Sequence, residues 1–417
     1  MTPNVALLVA AAYVVLGRLL VGIRARWAEA AFALLNLAAA YLFFFFHKQP
    51  GLDALLVMFF LAYVALVSVQ YVAMRRWSRS PGRWPWVAFA VPIAALVVIR
   101  YAPIAPVARL FSGYIYNVLV RHPEISLGWA FVGISYLAFR TSYLVLEVRN
   151  GTVPPPGYWR YMGFAFFAPT MWVGPISPYH LHREAFEGET RPQIPIGRAA
   201  LRVLVGAVKY KYLGALFNQL TYSGLLLDGH PHPWIDLPVA MFAYYLYLYC
   251  NFSGFCDIAI GGAGLMGVPV AENFDVPFAA RNMKDFWNRW HITLSEYMRD
   301  VVFSPLSKTF VRIFGPTNVN HAIALTIFIV FILVGVWHGV GWNYFLFGVA
   351  NAVGVVGNHY YTVALKKRLG KERFAAYNRS RVVHAVCVAF TFVYVSACLF
   401  LFANSLEEMR TIFQVLH

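Results

Sequence analysis

LDALLVMFFLAYVALVSVQYVAM, residues 52–74, is the stretch from which the chain is best read. Asp53 is its only charged residue, and as a helix it is long enough to cross a hydrocarbon core of about 30 Å, which takes about 20 apolar residues. Residues 5–23, 28–46, 84–101 and 128–146 repeat the pattern. Further apolar stretches lie at 158–176, 200–226, 234–266, 319–337, 340–364 and 382–403, several interrupted by Gly, Pro or polar residues. Such interruptions are tolerated at membrane depth only where protein buries the freed backbone or where it lines a polar cavity. The expectation is an all-α polytopic membrane protein with about ten or eleven transmembrane helices, plus re-entrant and interfacial helices.

Composition agrees. Of 417 residues 60% are hydrophobic and 12% charged, against roughly 25% charged in a soluble domain. The formal net charge of +16 raises the question of nucleic acid. The basic residues instead cluster in short loops beside apolar spans, as in Arg24-Ala25-Arg26, Arg75-Arg76-Trp77-Ser78-Arg79 and the group from Lys366 to Arg381. That is the positive-inside pattern, so no nucleic-acid partner is expected and all three clusters are placed in the cytoplasm. Residues 1–4 carry no Lys or Arg while Arg18 and Arg24 follow, the reverse of a cleavable signal; the first helix is expected to stay, with the N-terminus outside. Cys250, Cys256, Cys387 and Cys398 lie in apolar segments without CxxC spacing and read as buried thiols.

With no soluble domain or repeat, residues 1–417 read as one membrane domain: scaffold spans over 1–125, chemistry-bearing motifs over 126–348 and closing spans over 349–417. The proline-rich, polar stretch 176–199 reads as a surface loop, and Asp228 to Pro233 as a second break. Their two His-x-His pairs lack the Cys or carboxylate array of a metal site, so no metal is expected. Residues 281–312 alternate charges with Phe286, Trp287, Trp290, Leu294 and Tyr297. At helical spacing Trp287, Trp290, His291, Leu294 and Met298 share one side of an amphipathic helix.

Two histidines carry the chemistry. His291, taken alone, is equally a hydrogen-bonded core or interfacial side chain. His338 sits in Gly335-Val336-Trp337-His338-Gly339-Val340-Gly341-Trp342, between two apolar spans, and an ionisable group at membrane depth is a functional hypothesis by default. The glycines allow close approach, and Trp337 and Trp342 supply flat walls that could exclude water. A neutral imidazole suits a general base that takes a proton from a hydroxyl attacking a thioester.

Glu272-Asn273-Phe274 through Asp285-Phe286-Trp287-Asn288-Arg289-Trp290-His291 resembles the signature of the membrane-bound O-acyltransferase family. Asn251 to Gly261, Leu294-Ser295 through Arg299-Asp300, and Trp337-His338-Gly339 extend the likeness over roughly 244–348, with weaker traces at 133–140 and 174–176. The resemblance implies a bundle whose cytoplasmic funnel and opposite entrance meet in a tunnel near His338, the catalytic base, with His291 in support. It implies no permanently bound cofactor. The donor would be a phosphopantetheine thioester on an acyl carrier protein or as acyl-CoA in the cytoplasm. The acceptor would be an envelope glycan or teichoic-acid-like polymer outside a bacterial cytoplasmic membrane, reached directly or through an extracytoplasmic partner enzyme.

On this reading Trp287, Asn288, Arg289, Trp290 and Trp337 shape the funnel and bind the donor arm. Arg289 faces a phosphate or forms an internal ion pair with Asp285; Ser253 and Asp257 contact substrate or make bundle hydrogen bonds. Two bacterial subgroups compete. Lys284 to His291, Phe139-Arg140 and Glu147 to Gly151 look like the D-alanyl transferases, whereas Phe303-Ser304-Pro305-Leu306 and Gly339 to Trp342 lean toward polysaccharide O-acetylases of the alginate type. The first is narrowly favoured. A transporter or flippase would share the spans and broken helices but needs no histidine walled in by tryptophans.

Overall fold

In hydrocarbon a backbone amide finds no water to bond, so a chain this apolar has to satisfy its N–H and C=O groups along each segment. The computed structural model describes residues 3–44, 53–101, 133–187, 193–226, 232–339 and 341–415, and these residues are helical with no strand among them. Val5–Gly22, Val57–Trp77, Pro316–His338 and Arg381–Ala403 are long and apolar enough to cross a membrane. Arg26–Phe44, Pro233–Met266 and Trp342–Arg379 also reach spanning length, and the all-α polytopic expectation holds.

Two expected spans are not single helices. Residues 158–176 give a helix at Tyr158–Ala165 followed by a short 3-10 turn at Ala168–Thr170. Pro169 explains the break, because it has no N–H to give the Ala165 carbonyl, which accepts from Arg140 instead. Residues 200–226 are interrupted after Asn218 and carry a π-helical turn at Lys209–Leu213. The expected surface loop at 176–199 contains a helix, Tyr179–Glu187, whose His182 is buried among Phe32, Phe164 and Phe167. Residues 45–46, 52, 128–132, 188–192, 228–231 and 340 of the sequence expectations lie outside the described residues.

The chain divides into two compact units: residues 1–204 with 256–271, and residues 205–255 with 272–417. In the first, the Ile134–Arg149 helix is pinned at its middle and near its C-terminus. Buried Arg140 donates to Thr170 Oγ1 at 2.7 Å and to the Ala165 carbonyl at 2.8 Å. Glu147 accepts from the Tyr179 and His180 backbone N–H groups and bonds His180 Nδ1 at 2.7 Å.

The second unit contains His291 and His338. Its hairpin of Val319–His338 and Trp342–Arg379 is closed by two glycines. A methyl group on Gly335 would collide with the Tyr344 carbonyl oxygen, and one on Gly348 would lie 2.6 Å from the carbonyl oxygen of Phe331. Small residues at a helix crossing let two backbones approach, which in a membrane is a principal source of association. Here the approach fixes the turn that carries His338.

Gly335→Ala is therefore expected to lower the melting temperature in detergent by the equivalent of the about 1–3 kcal/mol usual for an overpacked contact. Gly357→Ala, whose added methyl meets nothing within 4 Å, should leave it unchanged or raise it. Equal melting of the two variants would contradict this packing.

Candidate active site

Residues 273–276 and 289–292 run antiparallel around a bridge between Phe274 and Trp290. The Asp275 N–H donates to the Arg289 carbonyl and the Ile292 N–H to the Asn273 carbonyl, both at 3.0 Å. This pairing sets Asn273 beside His291. Asn273 Oδ1 accepts from the Thr293 N–H at 3.3 Å and the Thr293 hydroxyl at 2.9 Å, and His291 Nδ1 lies 3.1 Å away. A backbone N–H only donates, so the Asn273 atom at this point is the oxygen; His291 then donates through Nδ1 and keeps its lone pair on Nε2.

His291 has φ 46° and ψ 52°, a left-handed conformation, at the N-terminus of the Ile292–Met298 helix. Such a backbone costs of order 1–3 kcal/mol and persists where its surroundings over-determine it. Those surroundings are the Asn273 bond and Phe252, whose ring stands edge-on at 4.8 Å. The residue lies between short helices rather than in a spanning one. Burial first, and the neighbouring His338 second, push its pKa down to about 3, so the ring is neutral at any physiological pH.

His338 ends the Val319–His338 helix. Its ring is edge-on to Phe402 at 5.0 Å and to Phe347 at 5.9 Å, with Trp337 at 4.6 Å. Trp337 is also 6.5 Å from His291, so one indole adjoins both imidazoles. Trp287 Nε1–H donates to Asn351 Oδ1 at 3.2 Å, and Asn351 Nδ2 donates to the Phe347 carbonyl at 2.9 Å. The short Met283–Trp287 helix is thereby tied to the helix that supplies one wall around His338.

The structure brings His291, His338 and Trp337 together and corrects several other sequence expectations. Trp342 is 68% exposed and walls nothing; Phe347 and Phe402 take that role, brought in by the hairpin and by the Arg381–Ala403 helix. The amphipathic helix drawn through 281–312 breaks at 288–291, into Met283–Trp287 and Ile292–Met298. Its aromatic residues are buried nonetheless, Trp290 packing against Tyr245, Phe274 and Phe286. Arg289 is engaged by Asp285 at 2.9 Å and Asp275 at 3.3 Å, the internal ion-pair alternative. Asn288 is exposed at the end of its helix. Asp257 belongs to the first unit and pairs with Arg202 at 3.0 Å, while Ser253 is buried in the second with no hydrogen-bond partner for its hydroxyl among the described residues. Asn273 was overlooked as a site residue, although it stands inside the motif quoted for the family.

The sequence model of the membrane-bound O-acyltransferase family matches residues 39–402. The chain is 32% identical over 256 residues to the teichoic acid D-alanyltransferase of Streptococcus thermophilus, a match covering 58% of this chain and 60% of that protein's length, less than two thirds of it. It is 30% identical over 301 residues to the teichoic acid D-alanyltransferase of Bacillus subtilis, covering 70% and 74%. Against the probable alginate O-acetylase of Pseudomonas aeruginosa it is 26% identical over 218 residues, covering 52% of this chain and 40% of that one.

If His291 works as a neutral ring, Asn273→Asp should impair the protein selectively at low pH. A carboxylate in hydrogen-bond contact favours imidazolium and raises the histidine pKa, so the neutral form is lost as pH falls through the raised value. The His291 ring titration, followed by NMR, should move upward by about 1–3 units, with the added loss of activity confined to the acid side. An unmoved ring titration would contradict the placing of Asn273 against His291.

Proposed function

This chain belongs to the membrane-bound O-acyltransferase family, and on that premise we propose that it moves a small acyl group, D-alanyl in preference to acetyl, from a cytoplasmic phosphopantetheine thioester to a hydroxyl of an extracytoplasmic envelope polymer. The observation that carries this reading is the pair of imidazoles that both adjoin Trp337, one held neutral by burial and oriented by Asn273.

The pair divides the work. Burial holds the His291 ring neutral, and proton transfer is assigned to His338, the ionisable group that ends the Val319–His338 helix beside Trp337, Phe347 and Phe402. His338 takes the acceptor hydroxyl proton as the oxygen attacks the thioester carbonyl. When the tetrahedral intermediate collapses, the C–S bond breaks and the proton passes from the imidazolium to the departing thiolate. Ester and free thiol result, and His338 is regenerated. His291 presents a lone pair rather than a proton at Nε2. It is therefore unsuited to stabilising an oxyanion and suited to orienting a donor, either the acceptor hydroxyl or the ring N–H of His338.

Trp337, Phe347 and Phe402 keep water from the thioester carbonyl, and Trp287 and Trp290 line the approach of the donor arm. We assign the donor to an acyl carrier protein or acyl-CoA on the cytoplasmic side of a bacterial cytoplasmic membrane, and place the N-terminus outside. A funnel from each face meeting near His338 would let both substrates reach one centre. D-alanyl is preferred because the two relatives named for teichoic acid D-alanylation match at higher identity and over more of this chain than the alginate acetylase does. The acetyl alternative rests on that third likeness and on Phe303-Ser304-Pro305-Leu306.

Ester-linked groups released by mild base from envelope polymers, identified by mass spectrometry, test the reading in cells. His338→Ala should cut the released alanine by at least the about 10²–10⁴-fold typical of a lost general base. Loss of acetate instead would assign the chain to polysaccharide acetylation, and unchanged esters would contradict the role of His338.

A further inference from the structure

A cavity of about 660 Å³ lies in the second unit, lined by residues of the Trp342–Arg379 and Arg381–Ala403 helices and by Arg281–Met283, and it includes neither histidine of the pair. Its size falls within the about 300–1,000 Å³ of ordinary ligand pockets. The Trp342–Arg379 helix is broken at Gly370, where φ is 71°, and residues on both sides of the break, Leu365 and Phe374 among them, face the same space.

Its lining is two-sided. Val386 and Phe390 give an apolar wall, whereas Tyr361, Tyr377, Asn358 and Arg281 give a polar one. The Tyr361 and Tyr377 hydroxyls are 3.0 Å apart. Val386 and Phe390 are 63% and 69% exposed, and with Val382 and Val393 they form one stripe along a helix apolar enough to span a membrane. The cavity therefore opens sideways onto a face that a spanning helix shows to acyl chains, and an occupant reaches it from the bilayer.

Charge at the rim selects the occupant. Arg281 is exposed and, among the described residues, makes no ion pair. Lys366, Lys367, Arg368, Lys371, Arg373, Arg379 and Arg381 do not line the cavity but flank its lining residues Leu365, Phe374, Tyr377 and Val383 along the chain; all are exposed, with Glu372 the one acid between Lys366 and Arg381. Juxtamembrane basic clusters of this kind attract anionic lipid.

We propose that this cavity binds an acidic phospholipid of the surrounding leaflet, its phosphate at Arg281 and the Tyr361–Tyr377 pair and an acyl chain along Val386 and Phe390. The site adjoins the catalytic machinery through the chain itself. Arg281 precedes Asn282, whose side chain caps the Met283–Trp287 helix by accepting the Asp285 N–H at 2.9 Å. Trp287, at the other end of that helix, holds Asn351. A bound lipid thus braces the helix from which Trp287 reaches the wall of the histidine site.

Native mass spectrometry of the full-length protein, released from nanodiscs of equal phosphatidylglycerol and phosphatidylcholine, tests this directly. Gly357 lines the cavity and a Cβ there meets nothing within 4 Å, so Gly357→Phe fills it; Arg281→Gln removes the rim charge at the surface. The wild type should retain one phosphatidylglycerol, Gly357→Phe should lose it, and Arg281→Gln should reduce the preference over phosphatidylcholine about five-fold. Equal retention of both lipids by the wild type, or an unchanged adduct in Gly357→Phe, would overturn the proposal. So would a Gly357→Phe protein that keeps its lipid but shows a raised KM for a carrier-borne thioester, which would give the cavity to the phosphopantetheine arm.

Discussion

Every backbone N–H and C=O in the hydrocarbon region needs a partner within the protein, and an unsatisfied one costs several kcal/mol. Helices meet that demand along most of this chain. Residues 272–303 depart from regular helix, and there the backbone is satisfied by an antiparallel pairing of two short segments and by the amide of Asn273. The departure delivers something a straight helix does not, a histidine in a left-handed conformation with one ring nitrogen committed and the other open.

The second histidine is placed by a different device. Gly335 and Gly348 bring two helices to backbone contact, and the turn they close presents His338 between Trp337, Phe347 and Phe402. The two imidazoles thus arise from elements that share no local sequence, and burial keeps the His291 ring neutral. A ring kept neutral can orient a partner while the other carries the proton. The hydrogen bond from Trp287 to Asn351 links the two devices, so the short helix before His291 and the wall beside His338 are held in one arrangement.

Much of this was legible in the sequence. Run length and hydropathy identified the spans from Val57 to Trp77 and from Pro316 to His338, because crossing a membrane is a matter of length and transfer free energy that each segment settles alone. His338 stood out as an ionisable group between apolar runs. Residues 158–176 misled because an apolar count does not register Pro169, which has no N–H to continue the helix past Ala165. The continuous helix through 281–312 failed for a related reason: helical spacing correctly grouped the buried aromatics but carries no information on a positive φ at His291. Phe402 was out of reach altogether, since its place beside His338 comes from packing between helices far apart in the chain. Arg289 was left between phosphate and carboxylate, and Asp275, the partner that helps engage it, comes from the opposite side of the antiparallel pairing.

The central claim is that His338 moves the proton while His291 stays neutral and orients. The most direct measurement is thiol release from a D-alanyl carrier-protein thioester by the purified protein in vesicles, with acceptor present, for His338→Gln and His291→Gln side by side. His338→Gln should abolish turnover, whereas His291→Gln, which keeps an amide able to accept a hydrogen bond, should retain measurable turnover with an unchanged basic limb of the pH profile. The reverse ranking, with His291→Gln inactive and His338→Gln still turning over, would contradict the account.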